Sequence, residues 1–128
     1  MHVGVHQHAK QDLSQLWADN PKAAASVEVV LEQLAADPRV IDKLTTHGDN
    51  TVGKELINVK SWQKVRGMAD LWRFRILETP ATGYRVIYGY HWQTSQLCVF
   101  AVVDKRTYDY DNLESSINKR ILADWRDL

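Results

Sequence analysis

Residues 65–111, VRGMADLWRFRILETPATGYRVIYGYHWQTSQLCVFAVVDKRTYDYD, decide the fold. Side chains on a strand alternate between two faces, so period-two patterning identifies strands here. In Leu71–Leu77, Trp72, Phe74 and Ile76 share one face, and Arg73 and Arg75 share the other. Glu78–Gly83 is turn material, punctuated by Pro80 and Gly83. In Tyr84–Tyr90, Tyr84, Val86, Tyr88 and Tyr90 lie together while Arg85 points away. A polar link, Trp92–Gln96, leads to Leu97–Val103, which is wholly apolar, as a strand covered on both sides would be. Short links between neighbouring strands predict an antiparallel meander. If Arg73, Arg75 and Arg85 share a side of it, they form a compact cationic patch.

The flanks predict what covers this sheet. His2–Gln7 alternates like a short first strand, with His2 and His6 on its exposed face. His2, His6 and His8 have no acid or thiol at a metal-ligand spacing in sequence, so no metal site is expected. Ala9–Asp19 reads as a helix, with Leu13, Leu16 and Trp17 expected in the core. Asn20-Pro21 is a cap-and-restart signal for a second helix over Lys22–Ala36, whose stripe is Val27, Val30, Leu31 and Leu34. Asp37-Pro38 ends it. Thr45–Lys54 is polar and glycine-bearing, as a flexible loop would be, and Leu56–Trp62 is a candidate edge strand. A last helix is expected over Leu113–Trp125, capped by Asp111 or Asn112. The fold class is therefore α+β: a small antiparallel sheet on an N-terminal helix hairpin, with a C-terminal helix, all in one domain over residues 1–128.

Composition narrows the function. The chain has 128 residues, of which 45% are hydrophobic, which excludes wholesale disorder. Its longest apolar run is too short to cross a bilayer, its first ten residues lack a secretory signal's apolar core, and its one cysteine, Cys98, predicts a buried, inert thiol. A cytosolic protein is expected. Net charge is zero, but it is segregated. Residues 1–59 hold five Lys and Arg against eight Asp and Glu, residues 60–106 hold eight against three, and residues 107–128 hold three against five. Basic charge thus concentrates in the β region, the footprint of a surface that meets phosphates or an acidic partner. No glycine-rich phosphate loop is present, and no cofactor is implied.

With those features in view, the chain resembles the RelE/ParE superfamily of toxins from bacterial toxin–antitoxin pairs, more the RelE than the ParE side. The resemblance runs through Asp37-Pro38-Arg39, Lys43-Leu44, Arg66-Gly67-Met68, Trp72-Arg73-Phe74-Arg75 and Gly83-Tyr84-Arg85-Val86-Ile87-Tyr88, and closes with Val102-Val103, Lys105-Arg106 and Lys119-Arg120-Ile121-Leu122. It implies a ribosome-dependent endoribonuclease in which a ribose 2′-oxygen attacks the adjacent phosphate, without a metal. Arg85 resembles the phosphate-stabilising arginine, Arg106 a second catalytic cation, and Arg73 a basic residue that takes part in proton transfer. Arg66, Arg75, Lys105 and Tyr108 are similar to RNA-binding positions. Tyr108 and Tyr110 compete for the place of a stacking or proton-relaying tyrosine, and Tyr110 is preferred.

Three departures stand out. Close relatives have lysines where this chain has Arg73 and Arg75, and an arginine does not act as a neutral-pH base. The chain is neutral where ribosome-binding toxins are usually basic. Residues 45–64 form an insertion relative to compact members. The partners implied are a cognate antitoxin, the ribosome and messenger RNA, with no membrane. Two other readings stay open: a ParE-like DNA gyrase inhibitor, and a non-catalytic antitoxin-binding remnant.

Overall fold

The computed structural model describes residues 2–78 and 80–128; Thr79, in the predicted Glu78–Gly83 turn, lies outside them. Strand β1 (His2–Val5) leads into helices α1 (Gln7–Asp19) and α2 (Pro21–Ala36) and a short helix α3 (Val40–Leu44). Five strands follow, β2 (Gly48–Val52), β3 (Glu55–Ser61), β4 (Leu71–Ile76), β5 (Tyr84–His91) and β6 (Gln96–Asp104), before helix α4 (Ser116–Arg126). The strands form one sheet in the order β1-β6-β5-β4-β3-β2. The α+β class and the β4–β5–β6 meander follow the sequence pattern. The sheet is mixed rather than antiparallel, because β1 returns alongside β6 in parallel.

Period two sends side chains to two buried clusters, one on each face. On the first face Phe74, Ile76, Val86, Tyr88 and Leu97 join Leu13 and Leu16 of α1 and Val27, Val30 and Leu34 of α2. Asn20 caps α2 by accepting from the Ala23 N–H, with Pro21 at its first turn. On the second face Leu71, Ile87, Cys98, Phe100, Ala101 and Val103 meet Ile121 and Leu122 of α4. A bulge in β6 makes this division possible. Ile87 pairs with Ala101 but Tyr88 pairs with Val99, so Phe100 is an extra residue. Phe100 and Ala101 therefore sit consecutively on the α4 side, and Val102 returns to the other cluster.

Four expectations need correction. Thr45–Lys54 is not a flexible loop, since Gly48–Val52 forms β2 and pairs with β3 through a two-residue turn. Gly53 takes φ +59° there, a conformation that favours glycine. The period-two signal was silent because β2 is an edge strand with only Val52 buried. The strand at Leu56–Trp62 exists as Glu55–Ser61, but it is internal, between β2 and β4. Trp17 is 42% exposed, its indole N–H donating to Glu28, so it is not core. The last helix starts at Ser116 and is capped by Ser115. Among the described residues no helix is long and apolar enough to cross a membrane.

Two expected results arise from this packing. A Cβ at Gly89 on β5 would lie 2.7 Å from the Trp125 ring and 3.0 Å from that of Phe100. Gly89→Ala should therefore destabilise the fold by about 1–3 kcal/mol, read from denaturant unfolding. Cys98 is buried, and burial, opposed by a backbone hydrogen bond with His6 and reinforced by Asp124, pushes its thiol up to about 11. The protonated thiol is thus the favoured native form at neutral pH, and the stability tied to it is lost as pH rises towards 11. Iodoacetamide at pH 8 should leave folded protein unmodified and label it fully in denaturant.

Candidate active site

The arginine face lies opposite the α1–α2 hairpin. Register sets Lys60 of β3 against Arg73 of β4, Asn58 against Arg75, and Arg73 against Ile87 of β5. Alternation then points Arg73, Arg75 and Arg85 to the α4 side, because their neighbours Trp72, Phe74, Ile76 and Val86 fill the other cluster. Helix α4 covers the β6 end of this face. The rest is open, as a cleft of about 360 Å³ walled by Lys60, Trp62, Lys64, Arg73, Arg85 and Tyr110, with Asp111 beside it.

Arg73 and Arg85 are held by neutral groups. Arg73 donates from Nη1 to the Asn58 backbone oxygen at 2.9 Å and to its Oδ1 at 3.0 Å. Asn58 is itself fixed by donating to Asp49 of β2 at 2.6 Å. Arg85, 9% exposed, donates from Nη1 to the Thr82 and Tyr84 carbonyls at 2.9 Å each. Among the described residues none of Arg73, Arg75 and Arg85 has an acid within ion-pair distance. Burial first, then the charges of Arg85 and Arg75, pull the Arg73 guanidinium below its usual value; burial does the same to Arg85, with Arg75 adding to it. A guanidinium so lowered is still charged at neutral pH. The cluster is therefore a fixed, self-repelling positive charge that an anion would relieve.

Tyr110 completes the cleft. Its carbonyl accepts from the Trp62 indole N–H at 3.1 Å, and its ring stands edge-on to Trp62 and Tyr108. Its hydroxyl is buried with no hydrogen-bond partner. Burial raises that hydroxyl's pKa, while the charges of Arg73 and Arg85 pull it back. Such a group is a proton donor at neutral pH. An unpartnered donor beside two arginines is an incomplete hydrogen-bond set, and a phosphate oxygen would complete it.

The structure sorts the other sequence candidates. Tyr108 turns inward, its hydroxyl bonded to Asn118, and burial raises its pKa far beyond the usual range. Arg75 borders the cluster with its Nε buried and unpartnered. Arg106 is elsewhere: its side chain is 77% exposed and binds Asp104 through Nε and Nη2, beside Tyr84 and the acids of α1. Lys105 is exposed, and its backbone N–H donates to the Gly83 carbonyl. Arg66 lines a different hollow, with His91, Trp92 and Trp125. Arg106 and Arg66 therefore lie outside the cleft that Arg85 lines. Sequence reasoning missed Asn58, Lys60, Trp62 and Lys64. All lie in or just after the strand whose polar face gave no distinct signal.

Comparison with solved structures finds similarity to a chain of the archaeal RelE–RelB complex from Pyrococcus horikoshii OT3. The match is 17% identical, spans 84% of this chain and 97% of that one, and has a TM-score of 0.44. At that level it assigns no residue a role. No family model matches the chain, and no curated protein matches it.

Proposed function

We propose that the protein is the toxin of a toxin–antitoxin pair and cleaves messenger RNA on the ribosome through the Arg73–Arg85–Tyr110 cleft. The carrying observation is the cluster of cations without acid partners, beside a buried tyrosine hydroxyl without any partner. The motif order resembling the RelE side supports the same reading.

In this mechanism the ribose 2′-oxygen attacks the adjacent phosphorus, a cyclic phosphate forms, and the bond to the 5′-oxygen breaks. Arg73 and Arg85 hold the non-bridging oxygens, whose negative charge grows in the transition state. Their pre-set hydrogen bonds to backbone and Asn58 mean little reorganisation is needed. Tyr110, kept protonated by burial, donates to the phosphate or to the departing 5′-oxygen. Asp111, on the same wall, can take the 2′ proton at neutral pH, which no arginine can do. Lys60 and Lys64 at the rim attract the flanking backbone. Arg106 serves RNA binding outside the cleft or is a structural partner of Asp104. The cognate antitoxin neutralises the toxin by covering the cationic face.

The test is induction of the protein in bacteria with mapping of new messenger-RNA 5′ ends, beside a Tyr110→Phe control. Cuts in phase with codons, absent from the control, are the expected result. Growth arrest with DNA damage and no such cuts would instead identify a gyrase inhibitor.

A further inference from the structure

Two of the histidines set aside in sequence, His6 and His8, acquire an acid in three dimensions; the side chain of His2 lies outside those described. His6 follows β1 as the N-cap of α1, with Nδ1 accepting the His8 N–H at 3.1 Å, and His8 lies in the first turn. Neither is on an exposed strand face. Asp124, in the last turn of α4, points between them. Its Oδ2 is 2.7 Å from His8 Nδ1 and 3.4 Å from His6 Nδ1. One atom from each residue thus lies within 4.8 Å of the others.

We propose that His6, His8 and Asp124 form a binding site for a divalent transition-metal ion of the zinc type. Two imidazoles and one carboxylate are the donor set of such ions rather than of magnesium or calcium, which prefer oxygen. Atoms bound at about 2.0–2.2 Å in a tetrahedron stand about 3.4 Å apart, so small ring rotations convert the present spacing into a coordinating one. The ion binds at His6 Nδ1 in place of the His8 N–H, a first-turn donor that water can satisfy.

Charge supplies the second argument. The Asp124 side chain is 8% exposed, and among the described residues its ion-pair partners are these two histidines, with no lysine or arginine. A buried carboxylate requires a compensating cation. The N-terminal pole of α1 disfavours a cation there, but the C-terminal pole of α4 favours one, and the two largely cancel. Three protein ligands leave a fourth position to water or to an external ligand. A bound ion would tie the start of the chain to its last helix, on a part of the molecule separate from the arginine cleft.

The test uses the full chain without a polyhistidine tag, stripped with chelator and titrated with Co²⁺ and Zn²⁺. One Co²⁺ per chain with the visible spectrum of a four-coordinate site is expected. Affinity should fall by about 10–100-fold or more in His8→Gln and in Asp124→Asn, and hold in His47→Ala. Zn²⁺ should raise the melting temperature of the native chain and not of His8→Gln. His8 is partly exposed, so its substitution removes a ligand without opening the core. No stoichiometric ion, or binding that survives both ligand substitutions, overturns the site.

Discussion

Under the proposed mechanism, Arg73→Ala is expected to lower the rate of RNA cleavage by about 10²–10³-fold, the loss typical when one preorganised donor to a developing anion is removed. Stability should fall only by about 1–2 kcal/mol. The two hydrogen bonds to Asn58 contribute about 0.5–1.5 kcal/mol each, and relief of repulsion from Arg75 and Arg85 offsets part of that. Arg73→Lys keeps the charge but gives up the two-pronged grip, so it should fall between the two. Single-turnover cleavage in programmed ribosomes, with thermal unfolding alongside, reads both quantities. Activity of Arg73→Ala within about threefold of the native chain would remove Arg73 from the proposed phosphate site and shift the chemistry away from this cleft. Arg85 is a poorer first target, because it also secures the Thr82–Tyr84 turn.

The largest effect on stability is expected at Asp12, far from that cleft. β1 pairs with β6 only as far as Val99, which leaves the β6 backbone beyond it without a neighbouring strand on that side, β5 pairing the other. Side chains complete the ladder there. Asp12 of α1 accepts the Val102 N–H at 3.1 Å and both Arg120 nitrogens, Nη1 at 3.1 Å and Nη2 at 2.8 Å. Arg120 of α4 also donates to the Phe100 carbonyl, at the bulge, at 3.0 Å. One ion pair therefore joins α1, β6 and α4. Asp12→Ala leaves a largely buried guanidinium and a backbone N–H without their acceptor, a loss of about 2–3 kcal/mol and roughly 10 °C in melting temperature. Asp12→Asn keeps an acceptor for Val102 and should lose less. A double-mutant cycle with Arg120→Ala should show strong coupling, since the two residues act as a unit. If Asp12→Ala unfolds within about 0.5 kcal/mol of the native chain, the pair is not what closes the edge.

The same ion pair accounts for a motif that had only a family reading. Lys119-Arg120-Ile121-Leu122 stood out by resemblance, and its physical content is now specific. Ile121 and Leu122 seal α4 onto the sheet, while Arg120 reaches past them to the unpaired edge of β6. Lys119, exposed, makes only a surface pair with Glu114.

Local pattern in the sequence was enough for whatever depends on neighbours along the chain. Alternation set Arg73 and Arg75 opposite Phe74 on β4, and Arg85 opposite Val86 on β5, because a strand's period is two whatever lies beside it; the register between the strands brought the three together. The cap at Asn20 and the apolar stripe of α2 were equally plain, since both arise within a few residues. Only the tertiary structure decided the rest. Edge strand β2 buries a single residue and so carries no alternation to read, although it positions Asn58 beneath Arg73. Arg106 follows β6 directly, yet pairs with Asp104 away from the cleft, because the direction of a turn is set by what it packs against. Tyr108 and Tyr110 competed by spacing, with Tyr110 preferred; in the fold Asn118 occupies the Tyr108 hydroxyl while that of Tyr110 has no partner. His8 and Asp124 meet across 116 positions of sequence, a juxtaposition that the docking of α4 alone creates.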